Sequence, residues 1–140
     1  ITHNHPEGLK EHRLRQHVFT WLAQENPSKR LKDILKSTFG YNLSRTCDEI
    51  RIAYQFDVTC QGSVPESIIA FLESKDFEDA IRLAISLGGD ADTMGAITGS
   101  IAEAYYRNVP DHIKEEILKR LPEEFINVME KFLQEIYYEK

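Results

Sequence analysis

The sequence contains little cysteine and no long hydrophobic run. Its two cysteines, Cys47 and Cys60, form no Cys-x-x-Cys pair of the kind that binds zinc. No apolar stretch approaches the ~20 residues that a helix needs to cross a bilayer, and the polar opening residues ITHNHPEGLK do not resemble a signal peptide. We therefore expect no membrane partner and a reduced, cytoplasmic location.

Positive charge is also scarce. The chain carries 17 Lys and Arg against 23 Asp and Glu, which gives a formal net charge of -6 and an isoelectric point near 5.4. A chain without a basic field cannot attract a phosphate backbone electrostatically, so nucleic acid is excluded as a general partner. The length of 140 residues and the 41% hydrophobic content suit a single domain with one core.

Apolar residues recur at helical spacing along most of the chain. They predict one helix over residues 9–24 and a second from Pro27 to a stop at Gly40. Capping residues indicate where later helices begin, because their side chains accept hydrogen bonds from the N–H groups of the first turn. The count of seven or eight helices joined by short links predicts an all-α protein. The later starts are predicted at Thr46, a Ser63–Glu66 capping box, Asp76, Thr93, Asp111 and Pro122.

Two patterns conflict between residues 46 and 62. Apolar residues alternate strictly from Ile50 to Cys60, which is typical of a strand, whereas Thr46 and Glu49 form a capping box that opens a helix. An isolated strand would have nothing to pair with in this chain. We therefore predict a short helix near residues 47–54, followed by an extended segment to about residue 62.

The helix predicted from Thr93 to Tyr106 carries a single formal charge, on Glu103. Small residues recur along it every fourth position, as at Gly95 and Gly99. Because neighbouring helices can approach small residues closely, we expect this helix at the centre of the bundle, with neighbours on several sides.

Before that helix the chain reads LGGDADTMG, residues 87–95. Asp90, Asp92 and Thr93 offer only hard oxygen ligands, which suit Mg²⁺, Mn²⁺ or Ca²⁺ better than zinc or copper. No basic residue lies nearby in sequence to neutralise the two carboxylates, so a divalent cation would supply the missing positive charge. A simpler alternative is that Asp92 caps the following helix and the glycines end the preceding one.

Other familiar loops fail on their register. An EF-hand loop that began at Asp90 would need an oxygen ligand where the chain has Met94 and a glutamate where it has Ile101. The scattered glycines match neither a phosphate-binding loop nor a dinucleotide fingerprint. Metal binding and helix capping therefore remain the two interpretations.

Residues 59–106, TCQGSVPESIIAFLESKDFEDAIRLAISLGGDADTMGAITGSIAEAYY, resemble the C-terminal half of the ADP-ribosylglycohydrolase family. The segment THNHPEG at residues 2–8 resembles a second family segment, in the expected order. The resemblance implies an all-α, compact orthogonal helical bundle of which residues 1–140 are the C-terminal part. It also implies hydrolysis of the glycosidic bond between ADP-ribose and a protein side chain, or of a related ADP-ribose derivative.

The resemblance further implies roles for individual residues. Asp90, Asp92 and Thr93 would be ligands of a dinuclear Mg²⁺ or Mn²⁺ centre, with a secondary catalytic role for Asp92. His3 would lie in the substrate pocket near the ADP-ribose, with His5 as a second candidate. Bulky residues over the segment 10–24 replace the small residues that are usual in the family, so the pocket beside His3 is expected to differ.

The family's first half supplies a Thr-Asp-Asp-Thr cluster of further metal ligands, and no such cluster occurs in this sequence. Three protein oxygens do not fill the roughly six positions around one Mg²⁺. We therefore expect the chain to be inactive alone and to need the N-terminal half of the same protein or another chain. The alternative is a non-catalytic helical module that uses the same fold to bind a partner.

Overall fold

The computed structural model describes the backbone of residues 27–138 and the side chains of residues 32–134. Every regular element in this part of the chain is a helix, which confirms the all-α prediction. The helix predicted over residues 9–24 lies outside the described residues. The helices are α1 (Pro27–Phe39), α2 (Cys47–Ala53), α3 (Cys60–Glu73), α4 (Phe77–Ser86), α5 (Ala91–Tyr106), α6 (Asp111–Arg120) and α7 (Glu123–Tyr138).

The chain divides into two compact units, Ile1–Asn108 and Val109–Lys140. In the first unit α5 packs against both α3 and α4, which in turn contact each other, and α2 packs against α3. Apolar burial among these helices supplies the main favourable term in their packing. Each of the five helices α1–α5 contributes to this core, with Leu35, Ile50, Ile68, Ala84 and Met94 among its fully buried side chains.

Local capping signals place α1, α2 and α4 as predicted. Gly40 follows α1 with a φ of +73°, a left-handed conformation that glycine adopts at little cost. At α2 the Thr46 side chain accepts a hydrogen bond from the backbone N–H of Glu49, and the Glu49 side chain accepts one from the backbone N–H of Thr46. At α4 the Asp76 carboxylate accepts a hydrogen bond from the backbone N–H of Asp79 at 2.8 Å.

The start of α3 differs from the prediction. The helix begins at Cys60, capped by Thr59, so the predicted capping box at Ser63–Glu66 is wrong, and the segment between the helices, predicted to run to about residue 62, ends at Thr59. The residues of the expected box have partners elsewhere: the Ser63 hydroxyl donates to the carbonyl of Asp57 at 2.8 Å, and Glu66 pairs with Arg45. Because the side chains of Ser63 and Glu66 are bonded to these partners, neither of them caps a helix.

Helix α5 begins at Ala91, two residues before the predicted start. The reason is that the carbonyl of Asp90 already accepts the first helical hydrogen bond, from the N–H of Met94 at 2.9 Å. The predicted close approach occurs at Gly99, where an added Cβ would lie 3.0 Å from Cδ1 of Ile81. At Gly95 no atom of the described residues lies within 4 Å of that position, so the small residues are not closely packed on every side.

The second unit contains α6 and α7, which begin where Asp111 and Pro122 predict them. None of its residues from 109 to 134 is buried. Among the helices of the described chain, none is long and apolar enough to cross a membrane. Large apolar side chains of this unit are exposed along both helices, namely Ile117, Leu118, Phe125, Val128, Met129, Phe132 and Leu133.

Candidate metal centre

The acidic turn, which we define as residues 88–93, runs from the end of α4 into the first turn of α5. Gly88 has a φ of +81° and Gly89 a φ of +70°, and residues with a Cβ rarely adopt these left-handed conformations. The glycines reverse the chain immediately after the buried Leu87, which confirms the predicted exit from α4 at Gly88. Both carboxylates of the turn therefore stand at the N-terminal end of α5.

Helix capping does not explain the two carboxylates. Asp90 occupies the N-cap position of α5, but its side chain makes no capping hydrogen bond. Asp92 lies inside the first turn, and its Oδ1 accepts a hydrogen bond from the adjacent N–H of Thr93 at 2.9 Å. The interpretation of Asp92 as the helix cap is therefore wrong, and Asp90 holds the capping position without capping.

The pKa of Asp92 lies below its ordinary value, chiefly through its interaction with the Asp90 side chain and then through the hydrogen bond from the backbone N–H of Thr93. The partial positive charge at the N-terminus of α5 favours anionic groups here. Among the described residues no cation pairs with either carboxylate, and the nearest basic residue before the turn in sequence, Arg82, is bound to Glu78 at 2.6 Å.

Tyr54 contacts the acidic turn at Gly89, and sequence reasoning missed it. A Cβ added to Gly89 would lie 2.5 Å from Cε1 of the Tyr54 ring, so the ring fills the space that glycine leaves open. The Tyr54 hydroxyl donates a hydrogen bond to the carbonyl of Gly62 at 2.9 Å. The sequence marked Tyr54 only as one of the alternating apolar residues between Ile50 and Cys60.

An ion pair with one buried partner joins α3 to the residues before α2. Glu66 on α3 is 4% exposed and pairs with Arg45, which precedes α2. Burial raises the pKa of Glu66, while the Arg45 guanidinium opposes that rise. The second carboxylate oxygen, Oε2, has no hydrogen-bond partner among the described residues. Sequence reasoning assigned Glu66 to a capping box, because the 21-residue separation from Arg45 leaves no local signal.

A pocket of about 380 Å³ opens beside Tyr54. Hydrogen bonds from the hydroxyl and the backbone N–H of Thr59 lower the pKa of Asp57 at its rim. Tyr54 thus belongs both to this pocket and to the contact with the acidic turn. The lining residues are Arg45, Glu49, Ile50, Ala53, Tyr54, Gln55, Phe56 and Asp57.

The donor set of the acidic turn fits part of a hard-metal site. Asp90 is half-buried, whereas Asp92 and Thr93 are exposed, and all three carry oxygen donors of the kind that Mg²⁺ and Mn²⁺ prefer. Within residues 32–134 no group of three or more His, Cys, Asp or Glu side chains is arranged to hold a metal ion. A complete coordination shell therefore needs ligands from outside these residues or from water.

The structure thus brings together Asp90, Asp92 and Thr93 at one helix terminus. His3 and His5, the predicted substrate-binding residues, lie outside the described residues.

The fold and this site define a helical protein whose acidic turn leaves the following helix uncapped. Comparison with known proteins identifies its family. The family model described as ADP-ribosylglycohydrolase matches residues 1–139, and the chain belongs to this family. An uncharacterized protein of Archaeoglobus fulgidus is 32% identical over 74 residues, which are 53% of this chain and 23% of that relative. The aligned stretch thus spans about a quarter of the relative's length. No solved structure matches the chain.

Proposed function

We propose that the chain contributes the acidic half of a metal-dependent hydrolase site. The site would cleave the glycosidic bond between ADP-ribose and a protein side chain, or a related ADP-ribose derivative. The observation that carries the proposal is that Asp90 occupies the N-cap of α5 without capping it, two residues before Asp92, whose carboxylate caps no helix either. Membership of the ADP-ribosylglycohydrolase family supports the reaction class.

Asp90, Asp92 and Thr93 are proposed as ligands of Mg²⁺ or Mn²⁺ in a dinuclear centre. Two carboxylates and one hydroxyl suit a hard cation, and they lack a protein cation to balance their charge within the described residues. The remaining ligands would come from the N-terminal half of the same protein or from another chain, so residues 1–140 would be the C-terminal part of one domain. The chain alone would then bind metal weakly and be inactive.

A bound divalent pair would supply Lewis-acid stabilisation of charge and a nucleophilic water. Of the chain's own residues, Gly88 and Gly89 set the path of the backbone into α5, and the oxygen-bearing residues Asp90, Asp92 and Thr93 follow at its N-terminal end. Asp92 would have a secondary role as an acid or base. It would transfer a proton to or from the water or the leaving group as oxocarbenium character develops at the anomeric carbon.

The proposed substrate is an ADP-ribosylated protein or a small ADP-ribose derivative, handled in the cytoplasm. His3 and His5 are proposed to contact the ADP-ribose, by their resemblance to the family's Thr-His segment. Neither nucleic acid nor a membrane is a proposed partner, since the net charge of -6 gives no attraction to anionic surfaces.

Mn²⁺ affinity tests the proposal directly. Electron paramagnetic resonance should be used to titrate Mn²⁺ into the chain, with and without the N-terminal half of a full-length family member. Asp90→Asn should weaken binding by more than about tenfold, since even changes to residues behind metal ligands typically cost that much. The matched control is Asp111→Asn, which changes an exposed aspartate in the first turn of α6.

Equal Mn²⁺ affinity in the wild type and in Asp90→Asn would contradict the enzyme proposal. It would favour the alternative, a non-catalytic helical binding module. The observation behind that alternative is the row of exposed apolar side chains on α7, including Phe125, Met129 and Phe132.

A further inference from the structure

The two glycines of the acidic turn have no side chains of their own to hold the turn in place. Gly88 and Gly89 both have positive φ, and glycine has the most backbone freedom of any residue. Asp90, which follows them, makes no side-chain capping bond. Small rotations at either glycine would therefore swing the Asp90 carboxylate relative to Asp92.

The Tyr54 ring occupies the space next to Gly89. The distance of 2.5 Å between its Cε1 and an added Cβ means that the ring touches the backbone of the turn directly. At Gly88, by contrast, no atom of the described chain lies within 4 Å of the corresponding position. Contact with the turn is therefore concentrated at one glycine and one ring.

Tyr54 is itself held by the first turn of α3. Its hydroxyl donates to the carbonyl of Gly62, and the Ser63 hydroxyl next along the helix donates to the carbonyl of Asp57. The segment from Tyr54 to Asp57 is thus fastened to α3 at both ends. Every residue from Ser63 to Phe71 of that helix is buried, so α3 is a rigid support.

We propose that Tyr54 is a positioning residue for the candidate metal centre: its ring fixes the Gly88–Gly89 turn and so fixes the position of the Asp90 carboxylate relative to Asp92. The proposal rests on the proposed function of that centre. Tyr54 does not touch the metal or the substrate in this role. It acts by transmitting the rigidity of α3 to the turn.

Hydrogen exchange tests the positioning role without any metal. The N–H groups of Ala91 and Met94 donate to the carbonyls of Gly89 and Asp90 at 3.0 and 2.9 Å, so their exchange reports opening of the turn. We expect Tyr54→Leu to speed exchange at both amides by about tenfold, on the scale of a lost local contact. Tyr54→Phe keeps the ring and should change them less. Tyr105→Leu removes a ring that packs on Phe71 and should leave both amides unchanged.

Mn²⁺ affinity then tests the consequence for the centre. Tyr54→Leu should weaken Mn²⁺ binding by about tenfold, as expected for a residue that orients metal ligands. In an Asp90→Asn background the same substitution should have no further effect, because the ligand that it orients is already lost. A purely structural role would lower the thermal midpoint and leave the Mn²⁺ affinity of the folded protein unchanged.

The two glycines provide a matched pair of variants if Tyr54→Leu does not fold. Gly88→Ala and Gly89→Ala both introduce a Cβ at positive φ, but only Gly89→Ala displaces the Tyr54 ring. We expect Gly89→Ala to weaken Mn²⁺ binding clearly more than Gly88→Ala does. Equal effects of the two would overturn the inference.

The possible failures are distinguishable. A wild-type chain that binds Mn²⁺ no more tightly than Asp90→Asn refutes the proposed function, and with it the metal role of Tyr54. Wild-type Mn²⁺ binding that depends on Asp90 but survives Tyr54→Leu, or unchanged exchange at Ala91 and Met94 in that variant, refutes only the positioning role.

Discussion

The ion pair between Arg45 and Glu66 should respond asymmetrically to mutation. The Glu66 side chain is 5% exposed, whereas that of Arg45 is 45% exposed. Removing Arg45 strands a carboxylate away from water, while removing Glu66 leaves a guanidinium that water still solvates. We expect Arg45→Met to lower the free energy of unfolding by about 3 kcal/mol at pH 8. Glu66→Gln should lower it by only about 1 kcal/mol.

The cost of Arg45→Met should depend on pH. Burial raises the pKa of folded Glu66, the nearby Asp57 adds to the rise, and Arg45 opposes it. The folded state therefore binds the Glu66 proton more tightly than the unfolded state, so stability falls as pH rises from the unfolded pKa through the folded one. Without Arg45 the folded pKa rises further. The loss should thus be full at pH 8 and much smaller near pH 4, where the carboxyl is mostly protonated in both states.

Urea unfolding followed by far-ultraviolet circular dichroism measures these losses. The Arg45→Met, Glu66→Gln double variant should recover most of the stability that Arg45→Met loses. Arg82→Met is the control, because it breaks an exposed pair on α4 and should cost less than about 1 kcal/mol. Equal losses at both pH values, or a double variant no more stable than Arg45→Met, would show that no buried charge is at stake.

Two further predictions follow from capping geometry and from burial. Asp76→Ala should lower the free energy of unfolding by about 1 kcal/mol because Asp76 caps α4. Asp92→Ala should change it by less than about 0.5 kcal/mol because Asp92 caps no helix. Similar losses for the two variants in urea unfolding would contradict this assignment of the caps. Burial raises the pKa of the Cys47 thiol to about 12, so iodoacetamide at pH 8 should modify Cys47 only in denaturant. Rapid modification of the native protein, mapped by mass spectrometry, would argue against that burial.

Features that depend on neighbours within four residues were predictable from the sequence. The capping box of Thr46 and Glu49, the cap at Asp76 and the left-handed exits at Gly40 and Gly88 each need only a local hydrogen bond or a free φ. The same reasoning was wrong at Ser63–Glu66. A capping pattern describes what side chains can do locally, and a distant partner takes precedence when it offers a buried bond.

The candidate site divides in the same way. The proposed oxygen ligands Asp90, Asp92 and Thr93 could be chosen from residue chemistry alone, because hard cations prefer oxygen and no basic residue lies nearby in sequence. The contact of Tyr54 with Gly89 joins residues 35 positions apart, and no periodicity or motif marks it. It was therefore invisible before the fold was known.

The amino-acid sequence by itself determined the helical class, most helix starts and the acidic composition of the turn, because these follow from backbone geometry and short-range bonding. Only the tertiary structure decided that Asp90 leaves α5 uncapped, that Glu66 is buried against Arg45 and that an aromatic ring supports the glycine turn. Such contacts depend on which helices pack together, and that is settled by the burial of the whole core rather than by any single segment.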